Sequence, residues 1–190
     1  MLSGLLDMVR LGYLLSILLI GGRLVCAATL EQLSLDEMVR QSSDIVRAKA
    51  GQSHSIRDGA LIYTLVEVEV LDQWKGERVS RRAIALPGGR IGGFSQQFGG
   101  VPLLVPDQEF VAFLWTGPSG RTQILGLSQG FFEVIRDAQG RIRIHRKPTA
   151  DLMLAPGSAA PVLYADIEMP LEELVASIRA ASAAGGPSPQ

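Results

Sequence analysis

Apolar and polar residues change their spacing several times along this chain, and each change marks an element. Leu35, Met38 and Val39 share one stripe at helical spacing. Ser34-Leu35-Asp36-Glu37 matches the capping box, in which a serine hydroxyl and a glutamate satisfy orphan amides at a helix start. Together they predict a short helix over 35–42. The period then falls to two. Asp44 to Ser55 predicts a strand, and Arg57-Asp58-Gly59-Ala60 a hairpin turn, because Asp-Gly supplies the positive φ angles a tight turn needs. Leu61 to Trp74 follows, with Val66, Val68 and Val70 against Glu67 and Glu69, the alternation of a half-buried strand. After Lys75-Gly76, a third strand is predicted over Val79 to Leu86.

Residues 87–106 break every period, with six Gly and three Pro in twenty positions. Gln108 to Thr116 is apolar on both faces, as a strand covered on both sides would be. Strands are predicted over Arg121 to Leu125, Phe131 to Arg136 and Arg141 to His145, with Asp137-Ala138-Gln139-Gly140 as a hairpin turn. The chain after Pro148 reads as irregular until Pro170, where Leu171, Leu174, Val175 and Ile178 give the stripe of an amphipathic helix. Six or seven consecutive strands with a helix at each end predict a mainly β fold, a small, partly open antiparallel barrel of OB-like form. The β core is expected over 44–147, the C-terminal helix over 170–182, and a disordered tail over 183–190. Trp74 and Trp115 are expected in the core.

The N-terminus has a different pattern. Residues 1–10 are short and weakly charged, Leu11 to Ile20 is uncharged and nearly all apolar, and Gly21-Gly22-Arg23 precedes Leu24-Val25-Cys26-Ala27-Ala28. This is the layout of a signal peptide spanning 1–27, with Val25 and Ala27 at −3 and −1 of a cut before Ala28. The apolar run is about half the roughly 20 residues that a membrane span needs. The competing arrangement, lipidation of Cys26, would tether the protein to a membrane; the residue before a lipidated cysteine should be small, and here it is Val25. A secreted or periplasmic, single-domain protein over 28–182 is expected, with no membrane span after cleavage.

Composition narrows the chemistry. Cleavage removes Cys26, the one cysteine, and with it disulfides, thiol nucleophiles and thiolate metal sites. It leaves 16 basic and 18 acidic side chains, a net charge of −2 that argues against nucleic acid as a partner. Arg outnumbers Lys by 15 to 3 and Asn is absent, a bias that points to a GC-rich bacterial genome.

Candidate chemistry is sparse. Gly126-Leu127-Ser128-Gln129-Gly130 matches the Gly-x-Ser-x-Gly elbow, and Asp137 and His145 follow in hydrolase order. That motif needs a strand-turn-helix context, whereas Phe131 to Ile135 alternates like a strand, so the glycines are read as permitting a bulge. His54 and His145 lack the neighbours of a zinc site, and no metal or cofactor is expected. Glu67, Glu69, Glu109 and Glu133 could pair across a groove for acid–base work or simply form a solvated face. Pro87-Gly88-Gly89-Arg90 resembles a phosphate cradle without the helix that should follow it. Arg141, Arg143 and His145 could grip an acidic partner, or guard a terminal strand against edge pairing. The 87–106 loop is the best binding candidate, with Arg90, Phe94, Gln96, Gln97 and Phe98 at its tip, against the alternative of a lid packed on the barrel.

Asp44-Ile45-Val46-Arg47-Ala48, Ile62-Tyr63-Thr64, Val70-Leu71-Asp72-Gln73-Trp74-Lys75-Gly76, Pro87-Gly88-Gly89 and Gly126-Leu127-Ser128-Gln129-Gly130 together resemble a group of uncharacterised secreted bacterial proteins over residues 35–180. That resemblance implies no activity. At fold level the chain is also similar to metalloprotease inhibitors built on OB-like barrels. Their N-terminal cysteine has no counterpart at Ala28-Thr29. The expected function is a non-catalytic, exported binding module for a protein or envelope component, with a protease-inhibitor role as one version. The alternative is a small secreted hydrolase using Ser128 or a carboxylate pair.

Overall fold

The computed structural model describes residues 29–148, 152–163 and 165–184. The expected signal peptide, Cys26 and the cut before Ala28 lie outside the described residues, as does 185–190 of the expected tail. In chain order the elements are β1 (Thr29–Glu31), α1 (Leu35–Gln41), β2 (Asp44–Asp58), β3 (Leu61–Lys75), β4 (Arg81–Pro87), β5 (Gly89–Ile91), β6 (Phe94–Gln96) and β7 (Glu109–Thr116). Then come β8 (Thr122–Ile124), a 3-10 turn (Leu127–Gly130), β9 (Phe131–Arg136), β10 (Ile142–Arg146), β11 (Leu152–Leu154), β12 (Pro161–Val162), β13 (Ile167–Pro170) and α2 (Leu171–Ala184).

Eight strands form one antiparallel sheet in the order β13-β10-β9-β7-β2-β3-β4, with β8 also paired to β7. The strands β2, β3 and β4 form a meander, and β7 returns to lie beside β2. That is Greek-key order, with residues 88–108 as the long connection. β7 is the hub: Phe110, Val111, Ala112, Phe113 and Leu114 are all fully buried. Alternate residues serve two cores. Phe110, Ala112 and Leu114 join Val46, Val68 and Ile84 on one face, while Val111 and Phe113 join Met38, Leu174 and Ile178 from the two helices on the other.

The sheet curls around the first of these cores. Register shifts between Ile45 and Val46, Arg47 and Ala48, and Ala50 and Ser53 mark bulges along the β2–β3 hairpin, and each bulge adds twist and bend. The curl brings β4 against β8, where Ile84 and Leu86 pack with Ile124, but no backbone ladder joins the two strands. The sheet therefore does not close into a barrel. At the far end of the hairpin, Asp58 pairs with Arg121, whose guanidinium lies 4.4 Å from the Tyr63 ring centroid.

Several expectations need correction. The stretch from Pro148 to Pro170, read as irregular, carries β11, β12 and β13; β1 was also missed, and it pairs in parallel with β11. Strands of two to four residues are too short to show a period, so only their partners define them. β10 is not a terminal strand, because β13 covers its outer edge. Trp115 is 43% exposed and leans over Gly117 instead of entering the core. Trp74 does pack against the helical core.

The Asp72-Gln73-Trp74-Lys75-Gly76 segment has a structural explanation. Lys75 Nζ donates to the Val39 and Arg40 carbonyls, closing the end of α1. Gln73 donates to the Lys75 and Glu77 carbonyls and accepts from the Val79 amide, holding the β3–β4 turn. Asp44, buried at the start of β2, accepts from Arg82 of β4 at 2.7 Å and from Gln73 at 3.3 Å. Gly76 must be glycine: its φ is 90° and a Cβ there would run into Asp44. Removing one partner of a buried ion pair strands the other charge. Asp44→Ala is therefore expected to cost about 3 kcal/mol of unfolding free energy in chemical denaturation. A loss below about 1 kcal/mol would show that the pair is not what joins β2 to β4.

Candidate functional site

The connection between β4 and β7 lies flat against the β2–β3 hairpin because its first residues are glycines. A Cβ at Gly89 would sit 2.7 Å from both Ser55 Oγ and Thr64 Oγ1, and one at Gly88 would sit 2.9 Å from the Gln96 carbonyl. Gly88 N donates to the Ile62 carbonyl at 2.8 Å, and Thr64 Oγ1 donates to the Gly88 carbonyl at 2.9 Å. No helix follows, so the Pro-Gly-Gly segment seats the chain closely and has no phosphate-binding helix end to work with. β5 and β6 then form a small hairpin. Gln96 ties it down, accepting from Ile62 N at 2.7 Å and donating to the Ala60 carbonyl at 2.8 Å. Beyond it the chain turns at Gly99-Gly100, buries Leu104 on the curled core, and returns to β7 as Asp107 N donates to the Ala50 carbonyl at 2.8 Å.

Between this connection and the hairpin lies a cleft of about 540 Å³. Val66, Leu86, Phe98, Val101, Leu103 and Leu104 give it apolar walls, and Ser53, Thr64 and Gln97 add polar groups. Among the described residues Arg90 is the one charged side chain that lines it. Phe98 is 43% and Leu103 79% exposed, so the cleft's mouth carries unburied apolar surface. Arg90, Gln96, Gln97 and Phe98 thus come together from the expected binding set. Phe94 does not line the cleft; it is 59% exposed, with the Arg57 guanidinium 5.1 Å from its ring centroid. The amide of Gln96 is already engaged with backbone. Sequence reading missed Leu103 and Val66. The apolar run Val101-Pro102-Leu103-Leu104-Val105, inside a Gly/Pro-rich loop, is the signal that could have found the first.

Asp137 and His145 each engage a different partner, and the Ser128 hydroxyl hydrogen-bonds to neither. Leu125 to Gly130 bulges out between β8 and β9, which pair in succession with one edge of β7. Gly130 is required there, since a Cβ would run into the Leu125 carbonyl. Ser128 Oγ is buried with no hydrogen-bond partner among the described residues. Asp137 accepts from the Arg141 and Gln139 amides and from Arg141 Nε at 2.7 Å. Burial pushes its carboxyl up, but those bonds outweigh burial and hold it below the usual carboxylate range. His145 Nε2 pairs with Asp166 at 2.6 Å. What matters at this bulge is Gln129, 1% exposed, which accepts from Leu33 N at 2.8 Å and donates to the Glu31 carbonyl at 2.9 Å. It docks the arm between β1 and α1.

The other candidate groups also have local partners. Glu109 holds Arg136 at 3.2 Å, Glu133 holds Lys147 at 2.6 Å, and Glu67 and Glu69 are exposed. Arg143 pairs with Glu168 at 2.7 Å, and Arg146 donates to the Gln129 carbonyl at 3.0 Å. His54 is exposed. Among the described residues no three His, Cys, Asp or Glu side chains cluster as metal ligands, and no helix is long and apolar enough to cross a membrane. A second cleft of about 550 Å³ lies between β3 and α2, lined by Leu71, Trp74, Arg78 and Arg179. No family model, no curated protein and no solved structure matches this chain.

Two outcomes follow at the bulge. Ser128→Ala is expected to leave stability unchanged or raise it by about 1 kcal/mol, because a buried unpaired hydroxyl is costly. A clear loss in thermal or chemical denaturation would mean that the hydroxyl is engaged. Gln129→Leu strands an amide and a carbonyl and should cost about 2 kcal/mol. Faster proteolysis near Leu33 would locate the damage.

Proposed function

We propose that the chain is an exported, non-catalytic binding module, a partly open OB-like barrel whose β4–β7 connection forms a cleft for a protein or cell-envelope partner. The observation that carries this reading is the cleft itself. It joins apolar walls to exposed Phe98 and Leu103 at its mouth and is fringed by hydrogen-bonding groups, the composition of a recognition site. Strand order supports the barrel description: β4-β3-β2-β7-β8 runs in Greek-key sequence, with β4 and β8 facing each other across the open seam. The non-catalytic reading draws on Asp137 being held by Arg141 and His145 by Asp166, with no hydrogen bond from either to Ser128. Export rests on the apolar N-terminal run and the small residues around Ala27.

Photo-crosslinking in the producing cell tests the reading. Benzoylphenylalanine replacing Phe98 should give one discrete adduct, and the same group replacing Leu71, exposed elsewhere on β3, should not. Leu103→Asp should lower the Phe98 adduct about tenfold, as burying a charge in an apolar contact would. Its melting temperature should be unchanged, since Leu103 is exposed. Equal adducts at both positions, or none at 98, would overturn the assignment.

A further inference from the structure

We propose that the cleft binds an extended apolar peptide, added as a strand along Val101–Leu104, with a free C-terminal carboxylate held by Arg90. This rests on the binding-module reading above and names the class of ligand. The first support is backbone accounting. Among the described residues, Val101 to Leu104 make no backbone hydrogen bond; the next amide, Val105 N, is taken by Gln108 Oε1 at 3.2 Å. Yet this wall is not a frayed loop. Leu104 is buried on the curled core with Val101 packed against the same cluster, while Leu103 is 79% and Val105 46% exposed, so the segment is anchored at two points. Apart from Pro102, which has no N–H, such a segment offers the donors and acceptors that a strand edge offers an incoming chain.

The second support is the lining. Val66, Leu86 and Phe98 suit apolar side chains, and the cleft is open to solvent, as suits a chain that lies along it. A small molecule would call for an enclosed site that buries most of its surface. The third is charge. Arg47, Arg82, Arg121, Arg136, Arg141 and Arg143 each meet an acid within the fold. Among the described residues Arg40, Arg57, Arg78, Arg81, Arg90 and Arg179 make no ion pair, and of these Arg90 is the one that lines this cleft; its own amide donates to Ser55 Oγ at 3.2 Å, which fixes its backbone. A guanidinium beside apolar walls matches a peptide that ends in a carboxylate.

The test uses the purified protein, immobilised, and a pool of N-acetylated pentapeptides of Val, Leu, Phe, Ser and Thr. The pool is supplied as free acids, as C-terminal amides, and as acids methylated at alternate backbone nitrogens, with retention read by mass spectrometry. Free acids should be retained about tenfold over amides, the scale of one charge-assisted contact. Arg90→Gln, at an exposed position, should bring the two to parity. Methylation, which removes main-chain donors, should lower retention by about tenfold. Equal retention of acids and amides by the unaltered protein overturns the carboxylate anchor, and undiminished retention of methylated peptides overturns strand addition. If no pool is retained while Phe98 still gives its adduct in cells, this inference falls and the binding-module reading stands. If the adduct is missing too, both fall.

Discussion

Burial of β7 on both faces is the constraint from which the rest of the architecture follows. Five consecutive residues, Phe110 to Leu114, lose all contact with water. Burying the four larger side chains among them stabilises the fold by about 1.5–3 kcal/mol each, but only if something covers each face. A single flat sheet covers neither. On one side α1 and α2 do so, through Met38, Val39, Leu174 and Ile178. On the other, the sheet covers itself: the bulged β2–β3 hairpin bends until β4 meets β8. Val101 and Leu104 of the β4–β7 connection add further cover to the curled core. The candidate site is therefore a consequence of how that core is covered.

Glutamine side chains carry much of the attachment between distant segments. Gln73, Gln96 and Gln129 each present an acceptor to one backbone amide and a donor to backbone carbonyl, as a peptide unit in a ladder would. They hold, in turn, the β3–β4 turn, the β5–β6 hairpin and the arm before α1. Each joins segments that share no strand pairing at that point, so each performs locally what a further strand would. The charged groups act differently. Most ion pairs are half exposed and contribute little individually; Asp44 with Arg82 is the pair set deepest, and it joins the beginning of β2 to β4.

Much of this fold was legible in the pattern of residues. The capping box at Ser34 is formed as the motif requires. The Asp58-Gly59 turn, the alternation along β3, the double-sided β7 and the stripe of α2 were all readable, because each reflects a period or turn chemistry held within about a dozen residues. The parallel pair β1–β11 and the antiparallel pair of β11 with β12 were not, since two- and three-residue strands carry no period of their own. Nor was Trp115: its size suggests burial, but the helices cover other parts of that sheet face. Within the candidate site, the Gly/Pro-rich composition of 87–106 marked the segment, and Arg90, Gln97 and Phe98 do line one cleft. The residues opposite them, Val66 and Thr64, looked like ordinary strand positions.

By itself, then, the sequence determined the longer strands and both helices, where the tight turns between them fall, and that one strand must be covered on both sides. Those properties are set by neighbours along the chain. Only the tertiary structure decided that the sheet curls without closing, that Gln96 and Gln129 clamp backbone, and that Phe98 and Leu103 stand exposed beside buried Leu104. Those outcomes depend on small bends summed along a long hairpin and on contacts between residues tens of positions apart, which no local pattern encodes.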